Sequence, residues 1–253
     1  MSQSSGDTSG DTPGSTSRET SGSTSRETSA GTARGARDVD VPARLAPSES
    51  LGLTVCRLGL DPASGRIRHR SQLGAAIRGA LFVELVLEGR LSGNRLPRAI
   101  GESQTGQRLP DAVHAAIVGR GPTPWKRWFS HVGADVDAAV RTLVESGVWS
   151  LDKPRRYLDV QADLTSTQAV RVTEFLATTR APGELEDAVV ALLVGGAGVA
   201  GRRPRPRAQL MRLDRVLTPL LPADSGQGTA IRAAVRGALK AMRGRSWPSL
   251  RSR

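Results

Sequence analysis

Catalytic chemistry in this sequence would have to be built from three histidines, one cysteine and scattered carboxylates, and their spacing builds none. His69, His114 and His131 belong to no HExxH pair and no nucleophile elbow, and no GxxxxGK(S/T) or strand-linked GxGxxG phosphate loop occurs. Gly195-Gly196-Ala197-Gly198 is glycine-rich but lies inside an apolar helical pattern, so it reads as close helix packing. Asp135 and Asp137 are two residues apart on a helical segment, on different faces, and do not make an acid–base pair. They suit the first turn of a helix, where the dipole favours acids. Cys56 is alone in an apolar segment and reads as a small core hydrophobe, not a disulfide or metal ligand. The sequence therefore predicts no enzymatic activity, no cofactor and no metal.

Anion binding is the chemistry that the composition favours. The 253-residue chain has a formal net charge of +12. Its first 49 residues hold 5 basic and 7 acidic side chains, which leaves a net +14 on residues 50–253. A balance of this kind suits nucleic acid, an acidic protein or an anionic bilayer. Basic residues gather at Arg66, Arg68 and Arg70, and again at Lys153, Arg155 and Arg156 around Tyr157 and Leu158. Apart from Lys126, Lys153 and Lys240 the basic residues are arginines, which with the abundant Ala, Gly and Val points to a GC-rich, bacterial genome.

The elements that must position these residues follow from periodicity. Residues 1–49 carry the repeat GSTSRETS at 14–21 and 22–29 and no apolar period; they are expected to be disordered, dispensable for folding and no signal peptide. Residues 50–245 are expected to form one domain, with a basic tail at 246–253. Leu51–Leu60 reads as a buried strand, Asp61–Gly65 as a turn, and Arg66–Arg70 as a basic return strand. Leu73–Leu91 is apolar around most of its circumference, which predicts a buried central helix interrupted by Arg78, Glu84 and Glu88. A short helix over Leu109–Val118 follows. Trp125, Trp128, Phe129 and Val132 fall at helical spacing and read as core. Val136–Glu145 reads as a helix stopped by Ser146-Gly147, and Val148–Val160 as a hairpin turning at Asp152-Lys153-Pro154. Helices are expected near 166–179, 184–200, 207–221 and 227–243, with a proline-broken linker at Arg202–Arg207. The longest apolar run, Ala188–Gly201, is shorter than the ~20 residues of a membrane span. The predicted class is mainly α: a single helical domain around a buried central helix, with short β-strands and a protruding β-hairpin.

Four landmarks in order give the chain a family resemblance. Ala76–Leu91, AIRGALFVELVLEGRL, resembles the LRGxxxxELxLxGRL signature of the Golgi phosphoprotein 3 family. Thr105-Gly106 with Leu109 and Asp111, then Leu143–Val148, then Val190–Val199 resemble that family's later landmarks. The resemblance implies a non-catalytic peripheral membrane protein of the cytoplasm. It further implies a basic pocket for a phosphatidylinositol 4-phosphate headgroup, an amphipathic hairpin entering the leaflet, and a protein cargo as a second partner. Carried over position by position, the signature arginine is Arg78, the pocket tryptophan position falls on His69, and two further basic positions fall on Gly133 and Val136. Arg68, Arg70 and Arg141 are the candidates to supply the missing charge. Lys153, Arg155, Arg156, Tyr157 and Leu158 form the membrane hairpin, with Asp159 resisting deeper burial. The alternative is a winged-helix-type nucleic-acid-binding protein, from the helix and basic hairpin over 136–160. Its would-be recognition helix carries Asp135, Asp137 and Glu145 but only Arg141 as a basic residue, which is poor equipment for reading base edges.

Overall fold

The computed structural model describes residues 50–101, 106–130, 133–177, 184–198, 203–221 and 225–245. The expectations for 1–49 and 246–253, and those for His131 and Val132, lie outside these residues.

The first element corrects the sequence reading. Leu51–Leu58 is a helix, α1, not a strand. The Ser50 side chain caps it by accepting from the Gly52 N–H at 3.2 Å, and all of its residues except Leu53 are buried. A short, continuously apolar run is compatible with either state. The helix packs closely on the predicted central helix: a Cβ at Gly52 would lie 2.6 Å from the Leu81 side chain. The strand signal survives as two residues, β1 (Leu60–Asp61), paired antiparallel with β2 (Arg66–Ile67).

Helix α2 (Arg70–Leu87) is the predicted central helix, begun three residues earlier than the apolar period suggests. It ends four residues before Leu91, and Gly89 at φ of 72° turns the chain out of the helix. Every residue from Gln72 to Val86 is buried except Arg78. A short hairpin that the sequence reading missed, β3 (Leu91–Ser92) with β4 (Arg98–Ala99), follows it. Then come α3 (Arg108–Arg120), the single turn α4 (Trp125–Trp128), and α5 (Gly133–Glu145). The hairpin β5 (Trp149–Lys153) and β6 (Arg156–Asp159) leads to α6 (Ala162–Ala177), α7 (Leu185–Ala197), α8 (Pro206–Leu217) and α9 (Gly226–Arg245). Pro206 starts α8 where the linker was expected to end, a position that tolerates proline because its N–H would be unpaired anyway.

The described residues belong to one compact unit in which α2 packs on α9, α1, α7 and α5. The tryptophan stripe is core, as its spacing predicted. Phe82 of α2 meets Trp125, Trp128 and Phe129 edge-to-face, with centroids 5.0, 6.1 and 5.6 Å apart. The glycine-rich stretch also packs as read: a Cβ at Gly196 would lie 2.5 Å from Leu239, and one at Gly195 2.8 Å from Leu176. His114 is buried in α3, while His69 is exposed at the start of α2. Among the described residues no group of three His, Cys, Asp or Glu side chains is placed to hold a metal ion.

Candidate anion-binding face

The signature arginine is engaged by its own protein. Arg78 donates from Nε to Asp135 Oδ2 at 2.9 Å, from Nη2 to Asp135 Oδ1 at 2.5 Å, and from Nη1 to the Trp128 carbonyl at 3.1 Å. The pair is largely shielded, and burial pushes the Asp135 carboxyl above its usual range while Arg78 pulls it back. Two turns earlier Arg70 pairs with Asp137 at 2.5 Å. Asp135, in the first turn of α5, thus ties that helix to α2 through a shielded pair, and Asp137, a residue beyond that turn, adds an exposed one. Val136 sits between them, fully buried, and Gly133 begins the helix, so neither family pocket position offers a cation. Arg141 lies one turn beyond Asp137 and is exposed.

His69 occupies the N-cap position of α2 with φ of 50°, a left-handed conformation uncommon for a non-glycine residue, and its side chain makes no cap bond. Before it, Arg68 reaches Asp61 at 2.5 Å. The Ser64 hydroxyl first, and Arg68 after it, hold the Asp61 carboxyl below its ordinary range. Arg66, Arg68, His69 and Arg70 are all exposed.

The β5–β6 hairpin docks against this basic strand. The Tyr157 N–H donates to the Gly65 carbonyl at 2.7 Å. Gly65 has φ of 64°, and a Cβ there would lie 2.8 Å from both Arg156 Cγ and the Tyr157 carbonyl oxygen, so glycine is what permits the contact. The contact at Gly65 brings the start of the basic segment 66–70 beside Arg156 and Tyr157 of the hairpin.

Register sorts the hairpin side chains. Leu151 pairs with Tyr157, and Ser150 with Leu158. Opposed residues share a face and alternate ones change it, so Tyr157 and Leu158 point to opposite sides of the ribbon. Tyr157 stacks on buried Trp149 with centroids 5.4 Å apart and is half-buried. Leu158 is 50 % exposed and Val160 66 %, with Leu151 also exposed nearer the turn. The turn itself is Pro154-Arg155, one residue later than predicted, with Arg155 at φ of 63°.

Asp159 anchors the hairpin base. It accepts from the Gln161 N–H at 2.9 Å and the Thr165 hydroxyl at 2.5 Å, and lies 3.7 Å from Arg57. Arg57 is buried in α1 and donates to Thr165 Oγ1 at 2.8 Å, tying α1, the hairpin and α6 together. Sequence reasoning missed Arg57 and Val160. An arginine inside the apolar run LTVCRLGL was the available signal for the first, and strand period for the second.

The family landmarks also meet in space. Arg90, from the GRL end of the signature, is buried and donates to Asp111 Oδ1 at 2.6 Å, while the Gly106 N–H donates to Asp111 Oδ2 at 3.0 Å. Two landmarks about twenty residues apart are therefore parts of one hydrogen-bonded joint. No curated protein matches the chain. The family model described as Golgi phosphoprotein 3 (GPP34) matches residues 55–242, from α1 into α9. This match covers most of the chain and makes the protein a member of the Golgi phosphoprotein 3 family.

Proposed function

We propose that this family member is a non-catalytic cytoplasmic protein that docks reversibly on anionic membranes through β2, the start of α2 and the β5–β6 hairpin. Family membership supports a lipid-binding role. No described helix is long and apolar enough to cross a membrane, so contact through a surface is the mode the fold offers. The observation that carries the reading is the hairpin. Leu158 and Val160 are exposed toward the base of a ribbon whose turn end carries exposed Lys153, Arg155 and Arg156, and the ribbon is docked next to Arg66 and Arg68. Exposed apolar side chains on an element that also carries cations are a composition suited to an anionic headgroup layer.

Headgroup recognition, phosphoinositide in particular, falls on His69, Arg68, Arg70 and Arg141. Arg78 holds α5 in place beneath them through Asp135. Tyr157 stiffens the ribbon through Trp149 and leaves the wedge to Leu158 and Val160.

Vesicle flotation tests this. The chain should float with phosphatidylinositol- or phosphatidylserine-containing vesicles and not with neutral phosphatidylcholine ones. Arg155→Ala with Arg156→Ala should weaken binding by roughly fivefold per residue, from about 1 kcal/mol each. Leu158→Asp with Val160→Asp should remove most of the remainder. Equal flotation with neutral vesicles, or binding untouched by both pairs, sinks the reading. A mobility shift of duplex DNA by a chain that ignores vesicles would instead favour nucleic acid.

A further inference from the structure

A cavity of about 860 Å³ lies between α4 and α9, and none of the residues proposed for the membrane face lines it. Its volume falls within the ~300–1,000 Å³ typical of small-molecule sites. Two stripes of α9 form one wall. Ala233, Gly237 and Ala241 recur every four residues, and Arg232, Arg236 and Lys240 run beside them with the same period. Trp125 and Phe129 form the facing apolar wall, with Lys126 between them.

The aromatic wall is held in place. Trp125 Nε1 donates to the Asn94 carbonyl at 2.8 Å, and its ring meets Phe82 edge-on. A Cβ on Gly237 would lie 2.6 Å from Phe129, so that glycine lets α9 close onto the ring. The lining contains no carboxylate. Among the described residues, no ion pair engages Lys126 or Lys240. Arg236 pairs with Asp214 at 2.9 Å, but both side chains are exposed, and such pairs are weak enough to yield. Arg232 has its Nε shielded from solvent without a hydrogen-bond partner.

We infer that this cavity binds a single-chain anionic amphiphile, such as a long-chain carboxylate, with its tail along Trp125, Phe129, Ala233 and Ala241 and its head at Lys126, Arg236 and Lys240. The charge identifies the sign of the head. The aromatic and alanine walls require an apolar body, which a free phosphate lacks. This site is separate from the membrane face and does not depend on it.

The test is titration calorimetry of the full chain with dodecanoate below its micelle-forming concentration, beside dodecanol and inorganic phosphate. Dodecanoate should bind as a saturable single site, dodecanol more weakly, and phosphate negligibly. Lys126→Glu with Lys240→Glu, both exposed and tolerable to the fold, should weaken dodecanoate by at least about tenfold, the value of losing charge-assisted contacts. Ala241→Leu, which fills the cavity, should weaken it with the charges intact. Leu158→Asp with Val160→Asp should leave dodecanoate binding unchanged, which separates this site from the membrane face. No saturable binding by a folded wild-type chain would overturn the inference. So would equal affinity for dodecanol or phosphate, or equal affinity in the charge-reversed and filled variants.

Discussion

Glu84 lies within the most apolar helix of the protein, 7 % exposed, and accepts from the Ser50 hydroxyl at 2.7 Å. Burial first, with a smaller push from Glu88, raises its carboxyl to about 7, against hydrogen bonds from Ser50 and the α1 N-terminus that pull it down. A carboxyl with a raised folded pKa binds its proton more tightly when folded. Its contribution to stability is therefore complete below the unfolded value of 4.5 and is lost as pH rises through about 7. At 1.36 kcal/mol per pH unit of displacement this is on the order of 3 kcal/mol. Glu84→Gln keeps an acceptor for Ser50 and cannot ionise. The variant should melt several degrees above wild type at pH 8 and within a degree or two of it at pH 4.5. The same melting difference at both pH values would mean that Glu84 does not titrate in this range.

At the scale of elements, the joint between α2 and α5 rests on Arg78 and Asp135, 14 % and 10 % exposed. The family resemblance implied a lipid-pocket role for Arg78. Its partner stands 57 residues later and was itself read as a first-turn acid, which it also is. Removing one member of a shielded pair strands the other, at a cost of about 3–5 kcal/mol, whereas replacing both with apolar residues is often neutral. Asp135→Ala should therefore lower urea-denaturation stability by about that amount, and Arg78→Met with Asp135→Leu should recover most of it. A double variant as unstable as the single one would place the loss in packing and not in a stranded charge.

Over the whole molecule, the net +14 of residues 50–253 and the outward apolar side chains of the hairpin make distinguishable demands on solution conditions. Screening shortens from ~10 Å at 0.1 M salt to ~3 Å at 1 M. Binding to anionic vesicles should fall steeply over that range and level at a remainder carried by Leu158 and Val160. In Leu158→Asp with Val160→Asp the remainder should vanish. Co-sedimentation across the salt series reads both, and binding indifferent to salt would remove charge from the docking mechanism.

The local pattern of the chain was enough to determine several features, because each is written in neighbouring residues. These are the all-round apolar α2, the aromatic stripe as core, the hairpin with its cations, the packing glycines of α7, and the ordered motifs of the family. Strand period also implies that Tyr157 and Leu158 face opposite ways; only buried Trp149 decides which of them turns inward. Three things required the tertiary structure. Residues 51–58, an apolar run compatible with strand or helix, are a helix packed on α2. Arg78 and Arg57 acquired partners 57 and 102 residues away. The α4–α9 cavity brought Lys126 to a stripe of α9 more than a hundred residues later. In each case the deciding contact joins segments distant in sequence, and a periodicity read within one segment carries no information about what will be packed against it.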